Sequence, residues 1–167
     1  MPLNLYFDNA ATSYPKPSAV GQEIVRYLDE IGGPYGRGAY SRAFEVSKRI
    51  EKTRNLVAEW LGTAAGGSVV FMPNATAAIN CVLFGLLSEN AHVLISPLEH
   101  NAVMRPLDTL QKRRGIQYNI LPHFGDGLID VARIGDFLRD TTELVIVNHQ
   151  SNINGLIQPI DAIKGAL

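Results

Sequence analysis

Val93-Leu94-Ile95, the polar run Ser96-Pro97-Leu98-Glu99-His100-Asn101, a helical stretch closing on Lys112-Arg113-Arg114-Gly115, and then Tyr118 to Leu121 form one strand–helix–strand unit. That unit decides the fold. Short apolar runs bounded by turn signals read as buried strands. Cations in a last helical turn, with glycine just beyond, mark a helix end because both complement its free carbonyls. Pro106 falls inside this helix and is expected to shorten or kink it.

The same alternation continues outward. Asp130 is placed to cap a short helix ending near Leu138, Leu144 to Val147 reads as another strand, and Asp161 starts a final helix. On the other side, Val69-Val70-Phe71-Met72 reads as a buried strand, followed by a helix from about Thr76 to Leu87. That helix is apolar on nearly every side, so it is expected to pack within the protein. Repeated β-α-β units with apolar strands predict an α/β fold, a mostly parallel sheet with helices on both faces.

Two helices precede this region. Val20, Ile24, Tyr27, Leu28 and Ile31 recur at helical spacing up to Gly32-Gly33-Pro34, and a glycine-rich loop runs through Gly36 and Gly38. The second helix, roughly Arg42 to Leu61, puts Ala43, Val46, Ile50, Val57 and Trp60 or Leu61 on one face. Glu45, Lys48, Arg49, Glu51, Lys52 and Arg54 fall on the other, with Glu45 and Arg49 as a weak i, i+4 pair. The opening segment Leu5 to Thr12 is too short to be an independent element and ends at Pro15 and Pro17.

Composition excludes several classes. With 167 residues, 46% apolar and 19% charged, the chain reads as an ordinary globular domain. A net charge of −1 gives no electrostatic footprint for nucleic acid or an anionic membrane surface. The longest nearly uncharged stretch, Val69 to Leu87, is broken by Pro73, Asn74 and Asn80 and is too polar to span a bilayer. Met1-Pro2-Leu3-Asn4 has no signal-peptide character, and the single cysteine, Cys81, fits a reducing compartment; a cytoplasmic location is expected.

In parallel α/β sheets, ligands bind beyond the carboxyl ends of the strands. Three such ends carry polar clusters: Pro73 to Thr76, Ser96 to Asn101, and Asn148-His149-Gln150-Ser151-Asn152. The first opens a helix, where free N–H groups favour a phosphate and Thr76 adds a hydroxyl; alternatively Asn74 or Thr76 only caps that helix. His100 can stack on a flat ligand or move a proton, or simply bond to the backbone. His149 and Asn152 can donate to a ligand oxygen or satisfy loop carbonyls, the second reading being preferred for His149. No Walker or dinucleotide fingerprint is present, His92, His100, His123 and His149 lack metal-ligand spacing, and no nucleophile elbow exists. Cys81, amid an apolar helix, is expected to be a core thiol.

In this order the clusters resemble the first half of the cysteine desulfurase and class V aminotransferase family of fold-type-I pyridoxal-phosphate enzymes. The resemblance begins at Tyr6-Phe7-Asp8-Asn9-Ala10-Ala11-Thr12 and continues through Gly36-Arg37-Gly38. Asn74-Ala75-Thr76-Ala77-Ala78-Ile79-Asn80 is similar to the family's cofactor phosphate loop, and Glu99-His100-Asn101 to the loop whose histidine stacks on the pyridine ring. His149-Gln150-Ser151-Asn152-Ile153-Asn154-Gly155 is similar to the loop whose asparagine approaches the cofactor's 3-oxygen.

The resemblance implies pyridoxal 5'-phosphate as cofactor, with Ala75 and Thr76 on its phosphate, His100 over its ring as the catalytic proton relay, and Asn152 at its phenolic oxygen. Ala10 and Ala11 would leave room for a small amino-acid substrate, and Arg37 would reach a neighbouring subunit's site in a homodimer. Residues 1–66 would form an arm and small-domain-like elements, and residues 67–167 an incomplete large cofactor-binding domain of the fold-type-I transferases.

For the complete enzyme, the resemblance implies conversion of L-cysteine to L-alanine with an enzyme-bound persulfide, class V aminotransferase or selenocysteine lyase activity being alternatives. A non-catalytic or split-chain binding or dimerising partner is the alternative of another class. The family's ring-pairing aspartate, Schiff-base lysine, nucleophilic cysteine and carboxylate-binding arginine all lie later than Leu167. None of Lys16, Lys48, Lys52, Lys112 and Lys164 has the family's His-Lys context. The chain alone is therefore expected not to turn over. In the family fold the strand at Val69–Met72 pairs only with the last strand, so here it is expected to stand apart with apolar surface exposed.

Overall fold

The computed structural model describes residues 5–63 and 69–167. Residues 1–4 and the expected domain boundary at 66/67 lie outside the described residues. The chain divides into two compact units, Met1–Phe71 and Met72–Leu167.

In the first unit, helix α1 (Ser18–Arg26) runs on as a π-helical turn, Tyr27–Ile31, and closes at Gly32 with φ +39°. Helix α2 (Ser41–Trp60) follows the glycine loop. Gly33 lets that loop approach α2 closely, since a Cβ there would sit 3.1 Å from the Arg42 carbonyl oxygen. Arg49 binds Glu23 of α1 at 2.9 Å and its own-helix Glu45 at 3.4 Å, realising the expected i, i+4 pair.

The amphipathic reading of α2 needs correction at its end. Ala43, Val46 and Ala58 are buried, but Trp60 and Leu61 are exposed. Arg54, expected on the solvated face, is half-buried instead. Its guanidinium lies 4.9 Å from the Phe71 ring centroid and 5.9 Å from that of Tyr35, and it donates to the Val69 carbonyl. A weakly hydrated, planar guanidinium can stack on aromatic rings where an ammonium would stay in water. The Tyr35 phenol donates to Glu51, and that bond raises its pKa above the usual value.

The second unit is α/β. Strands β1 (His92–Ile95), β2 (Gln117–Ile120) and β3 (Thr142–Ile146) form a parallel sheet in the order β2-β1-β3. Alternation along β1 supplies both cores. Val93 and Ile95 face helices α3 (Ala75–Leu86) and α4 (Asn101–Arg114) through Leu83, Val103, Leu107 and Leu110. Leu94 faces the opposite way, onto Ile134 of the 3₁₀ segment Val131–Phe137 and Ile163 of α5 (Ile160–Gly165). Helical elements thus cover both faces, as expected for parallel strands.

A buried polar clamp ties the strands together at the entry end of β1. The His92 imidazole lies 2.8 Å from Thr142 Oγ1 and 3.0 Å from Asn119 Oδ1, while Arg139 donates to Gln117 and Asn119, each at 2.8 Å. Each ring nitrogen has a partner, so this buried histidine carries no unsatisfied group.

Four expectations fail here. Val69–Met72 is not a strand: no described strand pairs with it, and Val70, Phe71 and Met72 are exposed. Without a ladder partner, an apolar run has nothing to hold it extended. That exposure is what the family architecture led us to expect of the segment. Helix α3 is not interior: only Leu83 is buried, and Cys81, Val82 and Leu86 are exposed. Cys81 is therefore not a core thiol. Helix α4, by contrast, continues through Pro106, which is buried and does not end it. Asp130 precedes the 3₁₀ segment but makes no side-chain cap.

Among the described residues no helix is long and apolar enough to cross a membrane.

Candidate cofactor site

The start of α3 separates the two readings of its polar cluster. Asn74 is the cap: its Oδ1 accepts the Ala77 N–H at 2.8 Å. The Thr76 hydroxyl is left without a protein partner among the described residues, as are the N–H groups of Ala75 and Thr76 in the first helical turn. A helix start with unpaired N–H groups and a free hydroxyl favours an anion.

His100 caps α4. Its Nδ1 accepts the Ala102 N–H at 3.1 Å, so in the neutral ring the proton sits on Nε2. The backbone-bonding reading of this histidine is therefore correct, yet the ring remains exposed and its Nε2 is unengaged by protein. The preceding loop is braced by Glu99, whose Oε1 accepts the Ser96 hydroxyl and the Asn148 N–H, the latter at 2.8 Å. Asn148 Nδ2 donates to the Leu98 carbonyl at 3.0 Å. These bonds fix the exit of β1 against the exit of β3.

Thr76 and His100, read from two separate clusters, line one cavity of about 360 Å³ between α3 and α4. Helix α3 presents Thr76, Asn80 and Phe84 along one stripe, and α4 presents Asn101, Arg105 and Thr109 along the facing one. Each set is spaced i, i+4, i+8, so each occupies a single helix face. Among the described residues, neither a carboxylate nor a lysine lines this space. Asn80, Arg105 and Thr109 were missed in the sequence, although their four-residue spacing from Thr76 and Asn101 was there to be read. Glu99 was missed as well, as its bracing role depends on Asn148, a residue of another loop.

The structure does not bring the other expected residues into this cavity. Asn152 is exposed in the turn after β3, where the Ser151 carbonyl accepts the Gly155 N–H at 2.9 Å and Gly155 takes φ +75°. Ala10 and Ala11 belong to the first unit, in a turn where the Asp8 carbonyl accepts the Ala11 N–H at 3.1 Å.

The sequence profile of the aminotransferase class-V family matches residues 5–167. The chain belongs to that family. Cysteine desulfurase IscS 1 of Archaeoglobus fulgidus is 35% identical over 164 residues, which cover 95% of this chain and 42% of that protein. A probable cysteine desulfurase of Methanothermobacter thermautotrophicus is 32% identical, covering 96% and 40%. Among solved structures, SspA in complex with cysteine aligns with a TM-score of 0.82 and 27% identity, over 96% of this chain and 46% of that one. The apo cysteine desulfurase of Thermococcus onnurineus aligns with a TM-score of 0.86 at 24% identity, over 97% and 40%, and shows the fold.

The class-V chain thus has part of a fold-type-I α/β architecture and spans about two fifths of the length of the curated relatives named here. The family is one of pyridoxal-phosphate enzymes. The residues present fit that cofactor: an unpartnered hydroxyl and helix N–H groups suit its phosphate, and an exposed imidazole on the same cavity suits its flat ring.

Proposed function

We propose that this chain is the N-terminal part of a pyridoxal-phosphate-dependent cysteine desulfurase-like enzyme, the complete enzyme converting L-cysteine to L-alanine and an enzyme-bound persulfide. The carrying observation is the shared cavity of Thr76 and His100, with no carboxylate among its described lining residues, in a chain of the class-V family. Cysteine as substrate is supported by the desulfurase relatives and by the SspA neighbour, whose structure holds cysteine.

In this reading, the bound cofactor supplies an electron sink for charge developing on the substrate. Ala75 and Thr76 would hold its phosphate through N–H groups and the Thr76 hydroxyl. His100 would stack on its ring and offer Nε2 for proton transfer, since Nδ1 accepts the Ala102 N–H. Asn152 and the small Ala10 and Ala11, none of which lines that cavity, would meet the ring's phenolic oxygen and the substrate only in the complete enzyme. Residues 67–167 are then an incomplete large domain of a cytoplasmic homodimer. In this reading the chain on its own does not turn over, as no lysine stands among the described residues lining the cavity to anchor the cofactor.

Thr76→Val tests the phosphate assignment. In the complete enzyme it should weaken cofactor binding by about 1–3 kcal/mol, the value of a charge-assisted hydrogen bond. Equilibrium dialysis reads this directly. Unchanged affinity would remove Thr76, and with it the placement of the phosphate, from the account.

A further inference from the structure

The donors assigned so far to the phosphate are all uncharged, whereas a phosphomonoester carries close to two negative charges at neutral pH. Among the described residues lining the cavity, Arg105 is the one cationic side chain, on the α4 stripe that faces Thr76 and Asn80. Its surroundings leave it available. Asp108, an i+3 neighbour well placed to pair with it, instead accepts the Tyr118 hydroxyl at 2.8 Å and holds that phenol's pKa above its usual value. Glu99 is engaged by Ser96 and Asn148. Among the described residues, no carboxylate lies within ion-pair distance of the Arg105 guanidinium.

The other polar groups on the two stripes are partly committed. Thr109 donates its hydroxyl to the Arg105 carbonyl at 3.0 Å, and Asn80 gives one amide hydrogen to the Thr76 carbonyl at 2.8 Å. Among the described residues, the cavity therefore combines a free hydroxyl, a remaining amide N–H, the His100 Nε2 and an unpaired guanidinium, with no anionic side chain to oppose a ligand's charge. A guanidinium fork matches phosphate oxygens bidentately, as a neutral donor cannot.

We propose that Arg105 is the cationic member of the phosphate subsite, binding the phosphomonoester of the cofactor from the α4 side. This rests on the reading of the cavity as the pyridoxal-phosphate site. The guanidinium is exposed, so its contribution is screened and salt-dependent.

The test compares ligands with and without the phosphate on the complete enzyme. Dissociation constants for pyridoxal phosphate and for pyridoxal are measured for the wild type, Arg105→Met, Arg105→Lys and Thr76→Val. Arg105→Met should weaken pyridoxal phosphate about tenfold and leave pyridoxal unchanged, with the difference shrinking as salt is raised. Arg105→Lys should recover part of the loss. Equal constants for wild type and Arg105→Met, or an equal loss for both ligands, would overturn the proposal. If Thr76→Val alone loses phosphate-selective affinity, Arg105 is excluded while the cavity reading stands. If neither variant does, both readings fall.

Discussion

Replacing His100 by alanine in the complete enzyme should lower turnover by about a hundred- to ten-thousandfold, the usual yield of a positioned acid–base group. The same change deletes the α4 cap, because Nδ1 no longer accepts the Ala102 N–H, at about 1 kcal/mol of stability. His100→Asn separates the two roles. Asparagine is a strong cap acceptor but neither stacks as imidazole does nor exchanges a proton as a ring nitrogen can. His100→Asn should therefore keep the wild-type unfolding temperature and still lose turnover. A fully active His100→Asn enzyme would reduce this residue to a helix cap.

The second large effect is structural. Leu107 is fully buried against Val93, Ile95 and Leu110, where α4 meets the sheet. Leu107→Ala in the 167-residue chain should cost about 2–5 kcal/mol, a lost side chain plus an unfilled cavity. Against a total stability of about 5–15 kcal/mol, that loosens the helix carrying His100 and Arg105. Leu86→Ala is the control, since that side chain is 69% exposed on α3 and its loss should stay within about 0.5 kcal/mol. Urea midpoints followed by circular dichroism check both. Similar shifts for the two variants would mean that the core is misplaced.

Much of this was legible in the sequence. The β1–α4–β2 unit could be read because short apolar runs, a basic last turn and Gly115 all report the same boundaries, and Gly115 does take φ +67° at the helix end. The two site residues that meet, Thr76 and His100, each follow a segment whose direction those boundaries fix. The failures share a cause. Val69–Met72 and α3 have the composition of buried elements, but burial depends on partners that local sequence does not specify. The same holds for Trp60 and Cys81, apolar residues that stand exposed. Arg54 erred in the opposite direction: it looks solvated in a helical projection, and only the fold brings Phe71 beside it. Arg105 needed the pairing of α3 with α4 before its stripe could be seen to face Thr76.

On the proposed reading, this chain carries the phosphate and ring-stacking part of a pyridoxal-phosphate site without the lysine that anchors the cofactor. A spectral titration of the 167-residue chain with pyridoxal phosphate, followed by borohydride trapping and peptide mapping, tests it most directly. The account predicts weak binding that Thr76→Val weakens further, with no adduct concentrated on any one lysine. A saturable adduct on a single lysine, such as Lys164 of α5, would contradict it by showing that the chain holds an anchor of its own.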